Sequence, residues 1–254
     1  MAKTYKSQRI TGKLKVSNLL NKNNQIRKYS PMTKSFSESN LREMFNYFQM
    51  LYVKPNVGSQ GKGVMRVKKL NHGYQLKTTK ITKQFTDISS LSNYLHSSNS
   101  RPLIIQQGIY LEHINGRPYD IRTMVQHKPG GQWTVTGIFA KYGKANKIVT
   151  NYFQGGQLVT MDKLYTEDFL PEEIKEERLE QVEQVALQVA NHLSNYQSNM
   201  FEMGIDFAYD QYGDLWILEV NSRQPQFYPL KWVDRNMYNR ILSYAKSYGR
   251  QNGY

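Results

Sequence analysis

Lys54-Pro55-Asn56-Val57-Gly58-Ser59-Gln60-Gly61-Lys62-Gly63 follows directly on the apolar run Met50-Leu51-Tyr52-Val53. A strand over residues 50–54 therefore delivers a lysine into a glycine-rich loop. Without a Cβ, glycine lets backbone N–H groups come close to phosphate oxygens, and the Lys54 ammonium can neutralise phosphate charge. The loop is not a Walker motif, because G-x-x-x-x-G-K-[ST] is absent and Gly63 stands where a serine or threonine belongs. A glycine-rich hairpin turn fits the same residues, so the loop by itself leaves both readings open.

On its N-terminal side, Ser37 can cap a helix in which Leu41, Met44, Phe45 and Phe48 recur at helical spacing. On its C-terminal side come a β-rich run over 64–79, a helix over 87–96 and a buried strand over 103–106. Residues 121–126 and 133–142 read as an antiparallel pair around Pro129-Gly130-Gly131. The longest helix spans residues 171–196, with Leu179, Val182, Ala186, Val189, Leu193 and Tyr196 forming a core stripe. Strands over 203–209 and 215–220 flank the polar turn Asp210-Gln211-Tyr212-Gly213-Asp214.

Two further constellations carry chemistry. Glu219 and Asn221 lie two apart and leave one face of a strand, to which a hairpin returns Asp206. Three oxygen donors would then converge, a set that suits Mg²⁺ bound together with substrate phosphates; the alternative is a polar face on an edge hairpin. Asp120 and Arg122 also share a strand face, following Gln106-Gln107-Gly108. Arg122 could fork onto a phosphoryl group, although taken alone the motif reads first as a surface ion pair.

The whole chain limits these readings. No apolar run approaches the ~20 residues of a membrane span, and no apolar segment follows the basic N-terminus as in a secretory signal, so a cytoplasmic protein is expected. The absence of cysteine removes disulfides, thiolate ligands and a cysteine nucleophile. A net charge of +14 suits polyanionic partners. Nucleic acid is disfavoured because there is no RNP1 pattern, zinc-finger spacing or long basic helix. Nine Lys or Arg and no acid precede Glu38, and this arm reads as a solvated, partly ordered terminus that could dock on an acidic partner.

Taken together and in order, Val53-Lys54-Pro55 with the glycine loop, Tyr119-Asp120-Ile121-Arg122, Ile148-Val149-Thr150-Asn151 with Gly155-Gly156, Gly204-Ile205-Asp206 and Glu219-Val220-Asn221 resemble the ATP-grasp superfamily. The wider text is similar to its YheC/YheD-like, spore-coat-associated branch. The resemblance implies two α+β lobes clasping ATP between them, with residues 37–105 as the first lobe, 106–254 as the second and 1–36 as the basic arm. It further implies that Lys54, with Gly58, Ser59, Gly61 and Gly63, binds phosphate, and that Gln106, Gln107, Gly108 and Ile109 form the hinge.

By the same resemblance, Asp120 or Glu112 sits near the ribose, and Lys22 is a weaker match to an upstream nucleotide lysine. Arg122, Lys141 and Asn151 would serve the acyl and acceptor side, Lys141 standing where relatives usually place arginine. Asp206, Glu219 and Asn221 would hold magnesium. The implied activity is Mg-ATP-dependent ligation of a carboxylate to an amine through an acyl phosphate. The alternative is a non-catalytic nucleotide-binding or structural protein, and a spore-coat protein is an expected partner.

Overall fold

The structure is a computed structural model describing residues 4–143, 156–166 and 170–254. Its first lobe is a six-stranded sheet in the order β1-β6-β2-β3-β4-β5. The strands are β1 (Thr33–Ser35), β2 (Met50–Pro55), β3 (Met65–Lys69), β4 (Tyr74–Lys77), β5 (Thr82–Phe85) and β6 (Leu103–Gln107). Helices α2 (Glu38–Tyr47) and α3 (Ile88–Ser97) begin at side-chain caps: Ser37 Oγ accepts from Asn40 N, and Asp87 Oδ1 accepts from Ser90 N. Leu41, Met44, Phe45, Leu91 and Leu95 bury against Leu51, Val53, Val67, Leu76 and Ile105 on one face of the sheet. Each such side chain contributes roughly 1.5–3 kcal/mol. Alternation turns Tyr52, Lys54, Arg66 and Lys68 to the opposite face.

The second lobe is built on the order β10-β9-β8-β11-β12, with the short β7 (His113–Ile114) paired to β8. Here β8 is Arg117–Gln126, β9 Thr134–Tyr142, β10 Gln157–Thr160, β11 Glu202–Tyr209 and β12 Leu215–Asn221. Helix α5 (Glu172–Ser194) covers one face through Val182, Val185, Ala186, Val189 and Leu193. The short helices α4 (Met161–Thr166) and α6 (Leu230–Val233) and the helix α7 (Arg235–Ser247) complete the lobe. Helix α7 packs Tyr238, Ile241 and Ala245 with Met124 and Phe139 on the other face. The sequence reading passed over α7, although Asp234 caps it by accepting from Met237 N. The expected core stripe of α5 stops one turn early, since Tyr196 is exposed. Among the described residues no helix is long and apolar enough to cross a membrane.

The basic arm differs from the solvated, partly ordered segment expected. Residues 13–20 form helix α1 (Lys13–Leu20), and Ile10, Val16, Leu19, Leu20 and Ile26 are buried in the same core as Val189 and Ile217 of the second lobe. His192 on α5 bonds the Leu19 carbonyl at 2.8 Å. The apolar positions of this short helix pack inward while its lysines stay at the rim, so the high charge of the arm is compatible with ordered packing.

Candidate functional site

The open face of the first sheet and the β8-β11-β12 face of the second enclose a cavity of about 560 Å³, within the usual range of a small-molecule site. Its walls carry Lys13, Lys54, Lys62, Arg66, Lys68 and Lys141 against Glu112, Asp120, Asp206 and Glu219. This excess of cations favours an anionic ligand.

Lys54 projects from the end of β2, beside Gly58, Ser59 and Gly61 of the loop. Its ammonium donates to Gln106 Oε1 at 2.6 Å, and Gln106 Nε2 in turn donates to Thr33 Oγ1. Burial pushes the Lys54 ammonium down to about 8, partly opposed by the negative charge of Glu219. Lys13 approaches from α1, donating to the Gly58 carbonyl at 2.8 Å and pairing with Glu219 at 3.1 Å. It ties the glycine loop to β12, a role the sequence analysis did not assign to it.

Strand register assembles the opposite wall. Asp120 pairs with Lys141 across β8 and β9, Arg122 with Asp206 across β8 and β11, and Asp206 with Glu219 across β11 and β12. Arg122 grips both oxygens of Asp206, at 2.6 and 2.8 Å, and Lys141 Nζ lies 2.7 Å from both Asp206 and Asp120. Burial alone would raise the Asp206 carboxyl, but Arg122 and Lys141 hold it well below the usual carboxylate range. Gly204 makes room for this grip, since a Cβ there would meet Pro225 Cβ at 2.5 Å and Arg122 Nη1 at 3.1 Å. The pair read as a surface Asp/Arg motif is thus a buried network.

Asn221 Nδ2 reaches Asp206 Oδ2 at 3.3 Å, so Asp206, Glu219 and Asn221 are neighbours on two paired strands. Among the described residues no three His, Cys, Asp or Glu side chains cluster as a metal cage. Two carboxylates and an amide oxygen are the hard donors that suit Mg²⁺ sharing its remaining positions with phosphate oxygens, so the set fits.

A family model described as YheC/D like ATP-grasp matches residues 3–248. The chain belongs to this family. It is 31% identical over 188 residues to the endospore coat-associated protein YheD of Bacillus subtilis (strain 168), a match covering 71% of this chain and 41% of that relative. The chain therefore spans less than half the length of that curated relative. The N5-carboxyaminoimidazole synthetase from Staphylococcus aureus, solved with ADP, superposes with a TM-score of 0.56 at 10% identity, covering 94% of this chain and 52% of that one. The VanG D-Ala:D-Ser ligase from Enterococcus faecalis gives 0.53 at 14% identity, over 95% and 60%. These likenesses establish the ATP-grasp fold.

In this ATP-grasp chain the expected hinge runs from β6 into Gln107, Gly108 and Ile109. Gly108 N donates to the Met50 carbonyl at 2.9 Å, and a Cβ at Gly108 would come within 2.7 Å of that oxygen. Only glycine fits so close a crossing. Gln106, Gln107 and Ile109 line the cavity. Glu112 does too, its carboxylate accepting from Arg178 Nη1 at 2.8 Å, Nη2 at 3.1 Å and the Tyr119 hydroxyl. Gly63, Gly108, Arg122 and Asn221 stand just behind the lining residues in sequence or hydrogen bonding rather than on the wall. Lys22 is not brought to the cavity; its ammonium lies 5.4 Å over the Tyr196 ring, whereas Lys13 lines the wall. The acceptor-side residues Asn151 and Gly155 lie outside the described residues.

Proposed function

We propose that this chain binds Mg-ATP in the interlobe cavity and activates a carboxylate for ligation to an amine. The carrying observation is that one cavity gathers Lys13, Lys54 and the glycine loop on one wall opposite Asp206 and Glu219 on the other. A triphosphate is the ligand whose charge matches that arrangement.

In this reading the substrate carboxylate oxygen attacks the γ-phosphorus as the bond to the β-bridging oxygen breaks, giving an acyl phosphate and ADP. The amine nitrogen then attacks the acyl carbon, inorganic phosphate leaves, and the amine proton passes to solvent. Lys54 and Lys13 bind phosphate oxygens, and the segment Gln107–Ile109 borders the base. Glu112, oriented by Arg178, faces the ribose. Lys141, on the cavity wall, stabilises the negative charge that builds on the transferred group and its acyl acceptor, and Arg122 behind it holds the Asp206 carboxylate in place. Asp206, Glu219 and Asn221 would hold magnesium, which supplies charge neutralisation at the phosphates. The name of the YheD relative extends the proposal to association with a spore coat.

The test is ADP release from Mg-ATP in the presence of paired carboxylates and amines, with the product identified by mass. ADP release that depends on both substrates supports the ligase. ATP binding with no turnover across a metabolite extract would replace it with a nucleotide-binding role.

A further inference from the structure

Helix α1 bridges the two lobes. Its C-terminal half is fixed in the second-lobe core by Leu19 and Leu20 and by the 2.8 Å bond between His192 and the Leu19 carbonyl. Its N-terminus lies against the first lobe. There Gly12 stands at the N-cap position, with no side chain to accept from the first turn. The cap comes instead from Asn56, 42 residues along the chain from Leu14: Leu14 N donates to Asn56 Oδ1 at 3.0 Å, and Lys13 N donates to the Asn56 carbonyl at 3.0 Å. Gly12 has φ +96°, and a Cβ there would meet the Asn56 amide nitrogen at 3.2 Å, so both its backbone angle and its lack of a side chain suit the contact.

Asn56 is also the root of the glycine loop. Its N–H donates to the Pro102 carbonyl at 2.9 Å, and the loop that leaves it returns at Gly63, where an added Cβ would come within 3.0 Å of Pro55 Cγ. Between these two points Gly58, Ser59, Gly61 and Lys62 line the cavity, whereas Asn56 itself does not. Lys13, the first residue of the capped helix, sends its ammonium to the Gly58 carbonyl and to Glu219. One amide side chain therefore joins the base of the loop to the helix whose lysine spans the cavity. A cap alone needs no such reach, since Ser37 and Asp87 cap α2 and α3 from three residues away.

We infer that Asn56 is a positioning residue for the phosphate site: by capping α1 it holds the glycine loop in a fixed place relative to the second lobe. The phosphate role rests on the Mg-ATP reading above; the hold on the loop rests on the bonds just given. A loop held in its binding conformation loses little freedom when a ligand arrives. Without the Asn56 side chain the first turn of α1 frays, Lys13 is no longer steadied over Gly58, and ordering the loop opposes binding.

The test uses the full chain and two variants. Asn56→Ala removes the acceptor, and Asn56→Asp keeps an oxygen at the helix N-terminus, where a carboxylate also caps. Loop opening is read without ligand as the rate of trypsin cleavage after the exposed Lys62, with the product identified by mass, because cleavage follows the population of the open form. Mg-ATP affinity is read by calorimetry at a temperature where every variant is folded. The expected result is cleavage about three-fold faster or more in Asn56→Ala and restored in Asn56→Asp, with ATP bound about three- to ten-fold more weakly by Asn56→Ala. Combined with Lys13→Met, the loss of affinity should be smaller than the product of the two single losses, because both changes act on one linkage. ATP affinity equal to wild type in Asn56→Ala, whatever its melting temperature, makes Asn56 a helix cap only and overturns the inference, as does a fully multiplicative loss in the double variant. If the wild type binds no ATP, the Mg-ATP reading fails and takes the phosphate role with it, while the cleavage rates still decide whether Asn56 holds the loop.

Discussion

Arg122 holds Asp206 by both carboxylate oxygens, with Lys141 on the same carboxylate at 2.7 Å. Removing one partner of such a buried set strands the others. Asp206→Ala is therefore expected to destabilise the chain by about 3–5 kcal/mol, and the double change Arg122→Met with Asp206→Leu by less. Urea unfolding with equal midpoints for single and double variants would reject this coupling. The Asp206 carboxyl is depressed below its unfolded value near 4, so its contribution is fully present above about pH 4 and is lost as pH falls through the folded value.

Lys54, pushed down to about 8, gives a proton signature for nucleotide binding. At pH 9 the ligand-free site holds Lys54 mostly neutral, and phosphate favours the ammonium. ATP binding at that pH should take up about one proton in wild type and none in Lys54→Met. Calorimetry in two buffers of different ionisation enthalpy measures it. Because the unfolded chain binds more protons between about pH 8 and 10.4, the contribution of Lys54 to stability rises with pH across that window.

Glu219 faces Asp206 across β11 and β12 and pairs with Lys13. Glu219→Gln keeps the shape and removes the charge. The expected outcome is loss of the magnesium-dependent part of thermal stabilisation by ATP, with metal-free nucleotide binding changed only several-fold. A magnesium dependence identical to wild type would return the hairpin to a purely structural role.

The first helix predicts the fate of an N-terminal truncation. Deleting residues 4–20 removes Ile10, Val16, Leu19 and Leu20 from the second-lobe core, each worth roughly 1.5–3 kcal/mol. That sum is of the order of a domain's whole stability, so the truncated chain should not fold. Lys13→Met should leave folding intact and weaken ATP binding, since it removes only the ammonium between Gly58 and Glu219. A folded truncated chain by circular dichroism would contradict the first expectation.

Local patterns carried most of the fold into view: the Ser37 cap, the helix over 87–96, the shared strand faces of β8 and β12, and the glycine loop after Lys54 are each read from a few adjacent residues. The carboxylates and Asn221 of the expected metal set do meet, because strand period and one hairpin suffice to bring them together. What stayed hidden depends on distant partners. Nothing near Lys13 in the chain points to Glu219, and the Arg178 clamp on Glu112 joins residues 66 apart. The ion network around Asp206 likewise requires three strands in register before it exists.

The burial of α1 in the second lobe makes the first lobe an insertion within the second, and this bears on how the chain assembles during synthesis. The buried residues of the first-lobe core lie between Leu41 and Ile105, with Phe36 packed alongside, so it can form before the second-lobe sheet leaves the ribosome. In doing so it pairs Thr33 with Gln106, bringing the two ends of the insertion side by side. The loop that α1 must otherwise close to meet α5 is thereby shortened in effect by some seventy residues, and loop closure costs less entropy the shorter the free segment. A variant that slows first-lobe folding should consequently delay second-lobe assembly, even though it alters no contact within that lobe.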